Sequence, residues 1–358
     1  MSSDFHDKKF DEGTLTKLQL FELYTREWLP VFLSKDTPKW REIHVFDFFA
    51  GPGTDVSGEF GSPLRILRQI DSFRNLAGFP KTRIEVHFFD ESKTKIERLK
   101  ANVRKNGLEI AGVHQDIRPL RFAMALEQAK EILQSDCAAK LVFADQCGVD
   151  QISAEVFRSL VDFPTCDFMF FISSSTLHRF REHPAIRQKI RRPEDYYHVH
   201  RAVLNYYRSL LPNQRQHFLA PFSIKKGSNI YGVIFGSGHP LGMDKFLRVA
   251  WETDELNGEA DFDINRDDIL PGEMLLPLEE FRPSKLSAFE RDLEKAIRDG
   301  TCPTELDVAW KCFEHGVTCK HAKPILKKLK KEGIARLDFE VPDTSAQHLR
   351  QPRPIALT

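Results

Sequence analysis

Five short apolar runs, at 43–49, 84–89, 110–114, 141–144 and 168–172, constrain this chain more than any other feature. Between them the apolar residues change to helical spacing. Ser62-Pro63 opens a segment with Leu64, Leu67 and Phe73 inward, and Ser62 there is read as an N-cap before proline at the first helical position. From about Ser92, residues Ile96, Leu99 and Val103 share one face, and Gly107 follows the helix end. Two further helices are expected over roughly 118–133 and 153–161. Strands that alternate with helices in this way imply an α/β domain with a parallel sheet. An amphipathic helix over 14–35, with Leu20, Tyr24 and Trp28 on one face, precedes the first strand and is expected to end or kink at Pro30. Two later apolar runs, 218–224 and 230–235, are joined by Lys225-Lys226-Gly227-Ser228 and read as a hairpin closing the sheet edge.

At 358 residues the chain is long enough for two domains. Pro271, Pro277 and Pro283 mark the expected linker. Beyond it, three short helical patterns lead into Ile334, Leu337, Phe339 and Val341, the order of a winged helix-turn-helix. The expected division is therefore 14–275 for a Rossmann-like α/β domain with a basic helical insertion at about 176–217, 284–341 for a winged helix, and 342–358 for an extended tail. Lys and Arg number 52 against 52 Asp and Glu, so any contact with nucleic acid must come from local patches. No uncharged apolar run reaches the roughly 18 residues of a membrane span, and a cytoplasmic protein without membrane contact is expected. Six cysteines without a Cys-x-x-Cys pair indicate neither a disulfide framework nor a metal site.

The candidate chemistry lies at the strand ends. Asp47-Phe48-Phe49-Ala50-Gly51-Pro52-Gly53 is a strand running into a glycine-framed turn, where open α/β sheets bind nucleotides. Asp47, Ala50, Gly51 and Gly53 are therefore cofactor-site candidates. Asp90, closing the second strand, suits the hydroxyls of a ribose, and Asp116, read as closing the third, suits an adenine amino group. The distance from Asp47 to Asp90 requires an added loop at 54–61, whose Gly58, Gly61 and Ser62 are placed along the ligand. The fourth strand ends Ala144-Asp145-Gln146-Cys147-Gly148. Asp145 and Gln146 are the catalytic candidates there, able to orient an amine or hydroxyl beside an electrophilic methyl.

Basic residues interleaved with tyrosines over 177–218 suit phosphate contact and base stacking, and Arg179, Arg191 and Arg192 are the candidates in that stretch. The same stretch also reads as an amphipathic cap with its arginines in water. Lys320, Lys323, Lys327 and Lys328 are nucleic-acid candidates on the third helix of the winged unit. Pro324 places the start of that helix near Lys323.

Together, the helix ending near Trp28, the Asp47-x-Phe49-Ala50-Gly51-Pro52-Gly53 turn, Gly61-Ser62-Pro63, Asp145-Gln146-Cys147-Gly148, the run from Ile230 to Ser237 and the terminal winged-helix pattern resemble the three-Cys-motif partner protein (TcmP) family. That family is similar in fold to class I S-adenosylmethionine-dependent methyltransferases. The resemblance implies S-adenosylmethionine as cofactor, with Asp47, Gly51, Gly53 and Asp90 at its site and Asp145 at the reaction edge. It also implies a radical-SAM-like protein with a three-cysteine motif as partner. Methyl transfer to a nucleic acid or a nucleic-acid-associated substrate, in a phage-defence or mobile-element setting, is the function it suggests. The alternative is a nonenzymatic DNA-binding regulator or interaction partner. In this chain Gln146 stands where proline commonly follows the strand-four aspartate.

Overall fold

A computed structural model describes residues 8–145, 152–173, 199–212, 216–226, 229–255, 258, 285–337 and 352–357. The chain divides into two compact units, 1–242 and 243–358. That boundary falls before the proline-punctuated stretch, so most of the helix Pro240–Thr253 goes with the second unit.

The first unit is built on a seven-stranded sheet in the order β3-β2-β1-β4-β5-β7-β6. Strands β1 (Glu42–Asp47), β2 (Arg83–Asp90), β3 (Val113–Pro119), β4 (Ala138–Ala144) and β5 (Cys166–Ser173) run parallel. The hairpin β6 (Phe218–Lys226) and β7 (Asn229–Ser237) closes the edge, with β7 antiparallel to β5. Among the described residues, helices α1 (Glu12–Leu33), α2 (Ser62–Ser72), α3 (Lys93–Lys105), α4 (Phe122–Gln134), α5 (Ala154–Asp162) and α6 (Val199–Ser209) accompany the sheet. The order reverses between β1 and β4, which makes their carboxyl ends the switch point where such sheets hold ligands.

Successive side chains of a strand point to opposite faces. On one face, α1 lays Phe21 against Phe143, ring centroids 4.6 Å apart. Tyr24 donates from its hydroxyl to Asp167 at 2.6 Å. On the other face Phe157 and Tyr207 pack on Phe170. Each such buried aromatic contributes roughly 1.5–3 kcal/mol. Glu22 of α1 takes Arg65, Arg68 and Gln69 of α2, each at 2.6 to 2.8 Å, and so ties the leading helix to α2.

Three sequence expectations are corrected here. Pro30 lies inside α1, which continues to Leu33; the loss of one backbone donor does not outweigh a face so fully buried. Ser62 is not the cap of α2, because Gly61 occupies that position and Ser62 is already helical. The third strand spans 113–119 rather than 110–114.

The second unit holds α7 (Pro240–Thr253), α8 (Lys285–Arg298), α9 (Glu305–His315), α10 (Cys319–Lys331) and a two-stranded antiparallel sheet of β8 (Ala335–Leu337) and β9 (Ile355–Leu357). Residues 355–357, expected in an extended tail, therefore form a paired strand. Arg353 clamps Glu305 through Nε and Nη2, at 2.9 and 2.7 Å, beside that strand. Helix α10 begins at Cys319, ahead of Pro324, because Thr318 and His321 cap each other's backbone and fix the start one turn earlier than expected.

Candidate functional site

The site is assembled where β1 ends. The Phe48 N–H bonds to the Phe143 carbonyl of β4 at 3.1 Å, and the Ala50 N–H to the Phe89 carbonyl of β2 at 2.9 Å, so the turn is strapped to both neighbouring strands. Gly51 and Gly53 take φ values of +61° and +84°, the left-handed region that favours glycine. A Cβ on Gly53 would lie 2.6 Å from Leu64 Cδ1 and 2.7 Å from Leu99 Cδ1. The Gly61 N–H then closes on the Gly53 carbonyl at 2.7 Å.

Asp90 stands beside this turn at the end of β2. Its Oδ2 accepts the Gly51 N–H at 3.2 Å, and its Oδ1 the Ser92 N–H at 2.8 Å. Ser92 caps α3. Each carboxylate oxygen keeps a second lone pair, and the side chain is half-buried rather than sealed.

Asp47 lies deeper. It accepts from the Phe49 N–H at 3.0 Å and from Ser62 Oγ at 2.6 Å. That bond explains why Ser62 does not cap its helix: the hydroxyl serves the buried acid instead. Burial pushes Asp47 up to about 7, against these hydrogen bonds, and the nearby Asp145 charge adds to the rise while Lys17 opposes it.

Asp145, immediately after β4, forms an ion pair with Lys17 of α1. Lys17 is only 7% exposed and Asp145 28%, so the cation is the buried member. The Lys17 ammonium also lies 4.6 Å from the centre of the Phe171 ring. Two carboxylates and one ammonium thus face the switch point from β1, β4 and α1.

The loop at 54–61 is held from within. Asp55 accepts from Ser57 and Glu59 backbone N–H groups at 2.8 and 2.9 Å and also fixes the Phe10 N–H at 2.8 Å.

Asp116 is not brought to this place. The register sets it opposite His87 in mid-strand, while Asp90 is level with Pro119. Arg118 grips both its oxygens at 2.6 Å. Against the upward push of burial, bonds from His87 and Arg118 hold its carboxyl down at about 2. The expectation that it closes the third strand is therefore corrected. Its strand begins three residues later than the apolar pattern indicates.

Asp47, Ala50, Gly51, Gly53, Asp90 and Asp145 do come together. Gln146, Arg179, Arg191 and Arg192 lie outside the described residues. In the second unit Lys320 and Lys327 are exposed on α10, whereas Lys328 is drawn to Glu290 and Glu294 of α8. Sequence reasoning missed Lys17, since a lysine on an amphipathic helix reads as solvated and its partner stands 128 residues away.

No family model matches this chain, and no curated protein does. Among solved structures, it is similar to M. jannaschii TYW2 in complex with AdoMet, at 12% identity over 63% of this chain and 76% of that one, with a TM-score of 0.30. A second similarity is to the O-methyltransferase from Bacillus cereus in complex with SAH, at 13% identity, 65% and 83% coverage and a TM-score of 0.35. A third is to Trm5b from Pyrococcus abyssi, at 14% identity, 64% and 50% coverage and a TM-score of 0.32. Similarities of this size leave the reading of the site to the chain's own geometry. That geometry is a mixed α/β, mostly parallel seven-stranded sheet of Rossmann-like form.

Proposed function

We propose that the first unit is an S-adenosylmethionine-dependent methyltransferase. One observation carries this reading: the glycine turn after β1, the half-buried Asp90 bonded to it, and the Lys17–Asp145 pair after β4 all gather at the switch point of the sheet. The residues fit the cofactor. Asp90 offers a lone pair on each oxygen to the two ribose hydroxyls, and the close approach of Gly53 to Leu64 leaves the turn flush against α2. The electrophilic methyl of its sulfonium is the chemistry the cofactor supplies.

Within this reading Asp145 holds the acceptor by a hydrogen bond and takes its proton where the acceptor must lose one. Lys17 positions that carboxylate by pairing with it, and Asp47 braces the turn through Phe49 and Ser62. Such an arrangement works mainly by orienting donor and acceptor in line.

A nucleic-acid acceptor is supported by the second unit, where three helices lead into a small antiparallel sheet in the manner of a winged helix and Lys320 and Lys327 are exposed on the third helix. Charge reversal at both lysines should weaken duplex binding uniformly across sequences and flatten its salt dependence.

Equilibrium dialysis with labelled S-adenosylmethionine tests the central reading. One equivalent bound by the wild type, retained by Asp145→Asn with loss of methyl transfer to nucleic-acid or protein substrates, is the expected result. A well-folded wild type that binds none overturns it.

A further inference from the structure

The face of the sheet opposite Asp47 carries a second, unrelated cluster. His44 and Glu85 are register partners on β1 and β2, and His87 stands two residues further along the same face. All three are buried, at 2%, 4% and 4% exposure. His44 Nδ1 lies 3.0 Å from His87 Nε2, and Glu85 Oε2 lies 3.7 Å from the first and 3.6 Å from the second. We propose that these three atoms are the protein ligands of a divalent transition-metal ion of the zinc class, independent of the methyltransferase site.

The geometry points to this in three ways. First, a triangle with sides 3.0, 3.6 and 3.7 Å has its centre about 2.0 Å from every corner, the length of a zinc bond to histidine nitrogen or carboxylate oxygen. Second, the outer atoms of the ligands are already oriented. His87 Nδ1 faces Asp116 Oδ2 at 3.5 Å, His44 Nε2 faces Glu42 Oε2 at 3.5 Å, and Glu85 Oε1 pairs with Arg83. A carboxylate behind each metal-bound imidazole is the usual support of such a site, because it fixes the tautomer that turns the other nitrogen's lone pair to the metal.

Third, the cluster has a proton deficit without an ion. With two neutral imidazoles, the single hydrogen between His44 and His87 leaves one outer ring nitrogen bare toward a carboxylate. His44 Nε2 is indeed buried without a well-formed hydrogen bond. A cation lets both outer nitrogens keep their hydrogens and satisfies Glu85 as well.

This donor set of two nitrogens and one oxygen leaves a fourth position for water. It contains no sulfur, which separates it from any binding at Cys302, Cys312 or Cys319 of the second unit.

The test uses the full chain, stripped with a chelator and titrated with zinc alone. One equivalent should bind, with X-ray absorption of the loaded protein showing nitrogen and oxygen neighbours at about 2.0 Å, the scattering of two imidazoles and no sulfur. Glu85→Gln, which keeps the shape of the side chain, should weaken binding at least tenfold, and Asp116→Asn should weaken it about 10- to 100-fold through His87. A folded wild type that takes up no zinc would show a shared proton in place of a metal and overturn the proposal. So would sulfur in the zinc shell, or an affinity unchanged in His44→Asn/His87→Asn.

Discussion

The carboxyl edge of the sheet and the interior of the same strands carry the same kinds of side chain and use them differently. At the edge, Asp90 spends its oxygens on two backbone N–H groups and stays half-buried, open to a ligand. Three residues deeper along the register, Asp116 is locked by Arg118 and His87. Asp47 and Asp145 are held near one lysine, while Glu85 faces two histidines. For Asp90 and Asp116, position along the register, more than residue type, decides whether an aspartate is held by backbone N–H groups or gripped by neighbouring side chains.

The largest effect that could break this contrast is at the edge. Asp145→Ala strands the buried Lys17 ammonium and should cost about 3–5 kcal/mol. Lys17→Met leaves the more exposed Asp145 to water and should cost about 1 kcal/mol or less. Denaturant unfolding of the two variants compares them, and equal losses would mean that the lysine is not the sequestered partner.

Next comes pH. Asp47 is raised from 3.8 to about 7, so its folded form binds the proton more tightly, and the stability this gives is present below pH 4 and lost as pH rises toward 7. Asp167, raised by burial to about 6, acts in the same direction. Asp116, held at about 2, acts in the opposite one, its contribution being lost as pH falls below 4. Asp47→Asn should remove on the order of 2–4 kcal/mol of the decline between pH 4 and 7, read from melting temperatures across that range; an unchanged slope would place the titration elsewhere.

Gly53→Ala, with its positive φ and Leu64 and Leu99 in the way, should cost about 2 kcal/mol. Arg118→Gln releases a partly exposed pair and should cost less than about 1 kcal/mol, so a larger loss would make Asp116 a structural anchor of β3.

Much of the fold was legible because β1, β2, β4 and β5 are buried apolar runs and the hairpin is broken by Lys225-Lys226-Gly227-Ser228. Strand β3 was not, since an edge strand exposed on one side needs few apolar residues, and its Gln115, Asp116 and Arg118 look like a loop. That shift alone moved Asp116 from a strand end to mid-strand. Asp47, Gly51, Gly53, Asp90 and Asp145 were readable because they follow apolar strands. Lys17 was not, and the alternation of His44 and His87 with apolar neighbours acquires meaning only once β1 and β2 are set in register.

The most direct measurement is a paired calorimetric titration with S-adenosylmethionine. Asp90→Ala, losing two charge-assisted bonds to hydroxyls, should weaken binding at least about 100-fold, and Asp116→Ala should leave it within about twofold of wild type, the small change of a residue without ligand contact. Equal weakening by both, or none by Asp90→Ala, would contradict a cofactor seated at the carboxyl edge.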